Sequence, residues 1–402
     1  MRERLWASRR VAVPGIALAT LAGVFGVLLG AFWLLSLSGS RMFTQLVIHH
    51  PKLVLYGFVY TFIASVAAIL VPRFREFSPQ RYVRMRQVSV SLLAGGIVLS
   101  VLVYPFNFLG FLLASLGASA LTVYIVKIVG RPRGYLAPAD PLIILSMISM
   151  SVTVAVHGWL ELSGFNPFSR EGMVQLGLYG APASMVFGIG IKTVRFRIDT
   201  LLRRGLSWML TPTQLLTIFS ALAAAVTGNH LYETLSSVFF LASSALWIFS
   251  VNAFHRITSG VLFDRMAERD RARYLYFSML YTIASAWLLA AAALGLLTQL
   301  IRETHPMTGY LLRDSFIHSF TVGFIANMIL AYSPIILPSL ITGRIPYKGL
   351  SYLPAILLNM GNIARVGWFL SGAFPSILLT TAITVLYIAS IFLTLAMMHN
   401  LR

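Results

Sequence analysis

The chain has no cysteine, and only 12 of its 402 residues are acidic. The first absence excludes disulfides, thiolate-bound zinc and cysteine-held iron–sulfur clusters. Any metal must therefore rely on His, Met, Tyr or carboxylates. Charge of either sign is scarce too, at 11% of residues, against roughly 25% in an ordinary soluble domain. There is no Walker loop, no dinucleotide fingerprint and no zinc-protease helix. What fills the chain instead is apolar: 58% of residues are hydrophobic, and the mean hydropathy is +0.81. That much apolar surface needs lipid around it.

Crossing a bilayer takes about 20 apolar residues in a helix. Runs of that length predict an all-α polytopic membrane bundle of about twelve helices. They cover residues 12–37, 53–72, 88–105, 107–129, 142–163, 173–192, 207–227, 232–253, 274–298, 314–333, 350–370 and 374–398. The runs are continuous rather than alternating, which argues for helices over a barrel. They predict one transmembrane domain over 1–402 with no separate soluble domain. Residues 334–342 read as a kinked extension of the tenth helix or a short interfacial turn, because Pro334 and Pro338 interrupt the hydrogen-bond ladder. The basic N-terminus leads into an apolar run too long for a signal peptide and reads as a retained first helix.

The net charge of +19 is distributed by side rather than clustered. With the N-terminus inside, inner loops hold 25 Lys and Arg and outer loops hold 5, and Arg365 falls within a span. That asymmetry predicts both termini on the cytoplasmic side of the cell membrane. It makes the lipid bilayer the expected partner and leaves no role for nucleic acid. The glycine pair Gly188 and Gly190 lies within a span, and Gly180, Ser184 and Gly188 form a row of small residues four apart. This row predicts close helix packing rather than a phosphate loop. No inverted repeat is visible.

Ionisable side chains within spans are costly and mark sites or satisfied pairs. In the predicted orientation they gather in the outer third. His157 and Glu161 end the fifth helix, Asp314 and His318 begin the tenth, and His49 and His50 precede the second. Arg365 lies roughly 9 Å below the outer end of the eleventh, at about 1.5 Å per residue. The inner half reads as an apolar scaffold edged with arginine. Each outer feature has a plain alternative. His157 with Glu161, and Asp314 with His318, are i,i+4 pairs that could satisfy themselves. His49 and His50 could be interfacial, and Arg365 could snorkel outward. The functional alternative is that the histidines ligate a metal or haem, with carboxylates orienting the rings and Arg365 meeting an anionic group. Imidazole suits both haem iron and copper. His230, His255, His305 and His399 read as solvated.

Two segments carry a family resemblance. In HHPKLVLYGFVYTFIASVAAILVPRF (49–74), His49 or His50 is followed by Gly57-Phe58 and then by Pro72-Arg73-Phe74. In YLLRDSFIHSFTVGFIANMILAYSPIILPSLI (310–341), the pattern is Asp314, His318, Gly323-Phe324, Met328 and Pro334-Ile335-Ile336-x-Pro338. Both resemble NnrS-type membrane proteins, and Arg365 falls where relatives often have an Arg. The resemblance implies a twelve-helix fold distantly similar to the catalytic subunit of haem–copper oxidases. It implies binding of haem b or copper in the outer third, through His50, His157 and His318. It also implies nitric oxide-related or respiratory electron transfer with an electron-transfer partner or respiratory-complex subunits. Where many relatives have a second His, this chain has Tyr332, and the oxidases' His-Pro-Glu motif is missing. The alternative is a cofactor-free transporter or a structural subunit of a larger membrane complex.

Overall fold

A backbone in lipid must satisfy its own hydrogen bonds, so apolar runs of this length fold as helices. The computed structural model describes residues 2–37, 49–75, 82–102, 107–130, 137–163, 169–197, 204–255, 264–342, 349–371 and 376–400. Its secondary structure among these is helical, without a strand, and twelve helices are long and apolar enough to cross a membrane. They are α1 (Arg10–Leu35), α2 (His49–Phe74), α3 (Val83–Leu102), α4 (Asn107–Val129), α5 (Ala139–Ser163) and α6 (Arg170–Thr193). The rest are α7 (Gly205–Thr227), α8 (His230–Val251), α9 (Asp270–Ile301), α10 (Pro306–Pro334), α11 (Leu353–Leu370) and α12 (Ile377–Met397). Hydropathy places most boundaries within a few residues. The largest difference is at α10, which starts on Pro306 rather than at 314. Its first turns carry Thr308 and Arg313, which hydropathy counts as loop although Pro at the first helical position starts a helix well. The helix then continues through Pro334 and Pro338 to Thr342, so 334–342 is an extension of α10 and not a turn.

The chain divides into two compact units. One comprises Met1–Gly188 with Ile218–Asn229, and the other Ile189–Thr217 with His230–Arg402. In the first, small residues let backbones touch. A Cβ on Gly96 of α3 would lie 2.5 Å from the Gly110 carbonyl of α4 and 2.6 Å from Ala114 N. The expected row of small residues on α6 packs against α5, since Cβ atoms on Gly180 and Gly188 would meet Ser149 and Ile143.

Three helices depart from regular α geometry, and they fall four helices apart. Lys52–Tyr60 of α2, Leu176–Ala183 of α6 and Ser319–Ala326 of α10 are π-helical. Each segment contains a glycine whose missing side chain makes room for the preceding helix. A Cβ on Gly57 would lie 2.8 Å from Ala22 of α1, on Gly180 2.7 Å from Ser149 of α5, and on Gly323 2.5 Å from Trp287 of α9. Four residues after each glycine stands a residue whose side chain bonds back into the segment. Thr61 Oγ1 donates to Tyr56 O, Ser184 Oγ to Tyr179 O, and Asn327 Nδ2 to Gly323 O. A widened turn loosens the backbone ladder, which lipid cannot repair. These three helices are accordingly the most enclosed of the twelve, with 78%, 89% and 61% of their core windows buried.

In the second unit the α10 segment is tied down by side-chain amides. Trp287 Nε1 donates to Asn359 Oδ1 at 2.7 Å, and Asn359 Nδ2 donates to Asn327 Oδ1 at 2.8 Å. Asn359→Leu leaves the indole N–H and the Asn327 side-chain oxygen without their partners in an apolar core. Stability is expected to fall by about 2–4 kcal/mol. Reversible unfolding in mixed detergent micelles measures this, and a change within experimental error would show the node to be dispensable.

Candidate functional site

Most of the residues singled out from sequence fall into two clusters, one in each unit. In the first unit, α2 begins where α5 ends, and that juxtaposition brings Lys52 to Glu161. Lys52 Nζ lies 2.5 Å from Glu161 Oε1, with only 8% of the lysine side chain exposed. Asn107 Nδ2 at the start of α4 donates to the second oxygen, Oε2, at 3.3 Å. His157 stands one turn before Glu161, with Nε2 3.5 Å from Oε1 and Nδ1 3.5 Å from the Tyr56 hydroxyl. Its ring packs on Phe111, 4.6 Å between centroids. The i,i+4 pair is therefore not self-contained: Glu161 belongs equally to a lysine from another helix.

His50 sits apart from that network. Its Nδ1 is 2.7 Å from the Gly26 carbonyl of α1, and Gly30 makes room for the ring. A carbonyl only accepts, so Nδ1 carries a proton. His49 keeps Nδ1 buried without a hydrogen-bond partner.

In the second unit, α10 begins beside the far end of α11. Arg365 Nη2 lies 2.7 Å from Asp314 Oδ2, and the guanidinium stacks 3.7 Å above the centre of the Phe369 ring. Arg365 is 2% exposed, so it does not snorkel outward. The stem is held by packing, and the head has its carboxylate inside the protein. His318 Nδ1 is 2.9 Å from the Asp314 backbone carbonyl and 3.3 Å from its carboxylate. Again the carbonyl assigns a proton to Nδ1. Next to these, Ser315 and Ser319 are fully buried, with hydroxyls lacking a hydrogen-bond partner.

The chain matches, over residues 9–400, the family described as a domain of unknown function, DUF8744. It belongs to that family. No curated protein matches this DUF8744 chain.

Several features of the DUF8744 chain were not visible in its sequence. Lys52 reads as an outer-loop cation, although it is buried at the head of α2. His230 is not simply solvated: its Nε2 donates to the Gln299 carbonyl, and its neighbour Glu233 pairs with Arg302. The opposite end of the first unit also holds buried charge. Arg75 Nη2 lies 2.7 Å from Asp140 Oδ2, and Arg86, 1% exposed, donates to the Ala68 carbonyl. This corrects the expectation of a merely apolar inner half edged by arginine. Those residues look like loop charges because they flank helix ends, and burial there depends on which helices meet. Tyr332 shares a 2.6 Å hydrogen bond with Thr193. Among the described residues, no three His, Asp or Glu gather as a metal cluster.

Proposed function

We propose that this protein binds a b-type haem with His318 as an axial ligand, in the outer third of the cytoplasmic membrane, and serves nitric oxide-related or respiratory electron transfer. The observation that carries the reading is the orientation of the His318 ring. Its Nδ1 proton goes to the Asp314 carbonyl, which leaves Nε2 as the nitrogen able to ligate. Haem supplies one-electron and diatomic-gas chemistry when bound. The chain's own part is to hold the imidazole fixed in direction. Asp314 does this through its backbone and carboxylate, and Arg365 keeps that carboxylate in place. Arg365 thus has an internal anion as its first partner, where the sequence suggested an external one. Haem is favoured over copper because one imidazole suffices for haem iron, whereas copper sites gather several donors. His157 fits a ligand role less well, since both of its ring nitrogens face protein groups. His50 makes the same Nδ1-to-carbonyl bond in its own unit.

An absorption spectrum of the purified protein tests the proposal. The expected result is a Soret band and a reduced-minus-oxidised α band, lost in His318→Ala and retained in His157→Phe. A colourless protein without iron would overturn it. That outcome would favour a cofactor-free transporter or structural subunit, a reading supported by how fully Asp314 and Glu161 are paired within the protein.

A further inference from the structure

The first unit contains a buried polar seam that the haem proposal does not use. Ser146, Ser149, Thr153, His157 and Glu161 recur at intervals of three and four along α5, which places them within about a third of the helix circumference. Ser146 and Thr153 are fully buried, and Ser149 is 4% exposed. Helices α2 and α6 close over this face. The Tyr56 hydroxyl meets His157, and the Tyr60 ring lies 5.2 Å from that of Tyr56. Tyr60 donates to the Gly177 carbonyl of α6, while Ser146 donates to the Ala181 carbonyl. The π segment of α6 places Gly177 and Gly180 against the seam, so no side chain fills it there. From Glu161 to Ser146 the seam runs roughly 22 Å at about 1.5 Å per residue. Below Ser146 come the buried Ile143 and then the Asp140–Arg75 pair at the opposite helix end.

Hydroxyl, imidazole and carboxyl groups in line, inside a membrane and away from lipid, are what a proton relay requires. Burial alone would be served by apolar residues such as Leu142, Met147 and Met150 of the same helix. We propose that this seam conducts protons through the first unit, from Glu161 to Asp140, with the stretch at Ile143 as its slowest point.

His157 is placed to bridge two acceptors, with Nε2 facing Glu161 and Nδ1 facing Tyr56. A proton arriving on one nitrogen releases another from the opposite nitrogen. The Tyr60, Ser146 and Thr153 hydroxyls, which rest on the carbonyls of Gly177, Ala181 and Ser149, must turn towards the next group for each hop. Each hop then breaks one O–H or N–H bond and forms one on the neighbour, so nothing is oxidised or reduced. Groups facing the Glu161 end are Lys52 of α2 and Asn107 of α4, with His49 three residues before Lys52. Lys52 and Asn107 fix the Glu161 carboxyl at the head of the seam, where it receives the incoming proton.

The test is proton flux into liposomes carrying the purified full chain, driven by a potassium diffusion potential and read with an entrapped pH dye. Wild type should exceed protein-free liposomes. Glu161→Gln and Thr153→Val should lower the flux severalfold, and Ile143→Ser should raise it. Ser244→Ala, on α8 and bonded only within its own helix at Phe240, should leave it unchanged. Gel filtration of each variant shows that it is folded, and the Ile143→Ser gain cannot arise from poor folding. Flux equal to that of empty liposomes, or flux indifferent to the seam variants, overturns the proposal. The haem spectrum is read separately, so failure of one leaves the other standing.

Discussion

Arg365→Leu is expected to lower the unfolding free energy by about 3–5 kcal/mol, and Arg365→Leu combined with Asp314→Leu to recover most of that loss. A buried ion pair is expensive to assemble but more expensive to break, because removing one partner leaves a bare charge in a low-dielectric interior. Both members are nearly inaccessible, at 3% and 11% side-chain exposure. In the single variant Asp314 keeps only His318 as a partner. In the double variant no charge is stranded, and His318 retains its bond to the Asp314 backbone carbonyl. Reversible unfolding in mixed micelles gives both numbers. Equal destabilisation by the single and double variants would mean that packing against Phe369, not charge, sets the cost.

The second large effect separates two neighbouring glycines. Gly96→Ala is expected to cost about 1–3 kcal/mol or more, because the new methyl meets backbone that cannot rotate away. Its Cβ would fall 2.5 Å from the Gly110 carbonyl and 2.6 Å from Ala114 N. Gly95→Ala meets nothing within 4 Å. It is expected to be neutral or to gain up to about 1 kcal/mol, since alanine is the better helix former. The same unfolding assay compares them directly. If the two substitutions behave alike, the α3–α4 contact is not as close as described.

Which features could be read from sequence follows from the range of the interactions behind them. The twelve helices were legible because hydropathy is a local property summed over a window. The His157–Glu161 and Asp314–His318 spacings were legible because four residues bring side chains together on any helix. Lys52 on Glu161 and Arg365 on Asp314 were not, since each depends on which two helices become neighbours. The Asp140–Arg75 pair was missed for the same reason. The π segments left no mark on hydropathy, because a widened turn changes phase and not composition. A usable signal was present in the amides: Asn327 and Asn359 stand in otherwise apolar helices, where an amide needs a partner. Gly57, Gly180 and Gly323 were visible too, lying in the second, sixth and tenth apolar runs.

The pairing of those three glycines also bears on how the chain enters the membrane. Ribosomes deliver the helices in order, and the earlier ones settle first. Gly57 packs on α1, Gly180 on α5 and Gly323 on α9, so each irregular helix meets the helix delivered immediately before it. A widened turn that emerged alone would face lipid with backbone groups unsatisfied. Here its cover is already waiting, and each pair can leave the insertion machinery as a finished hairpin.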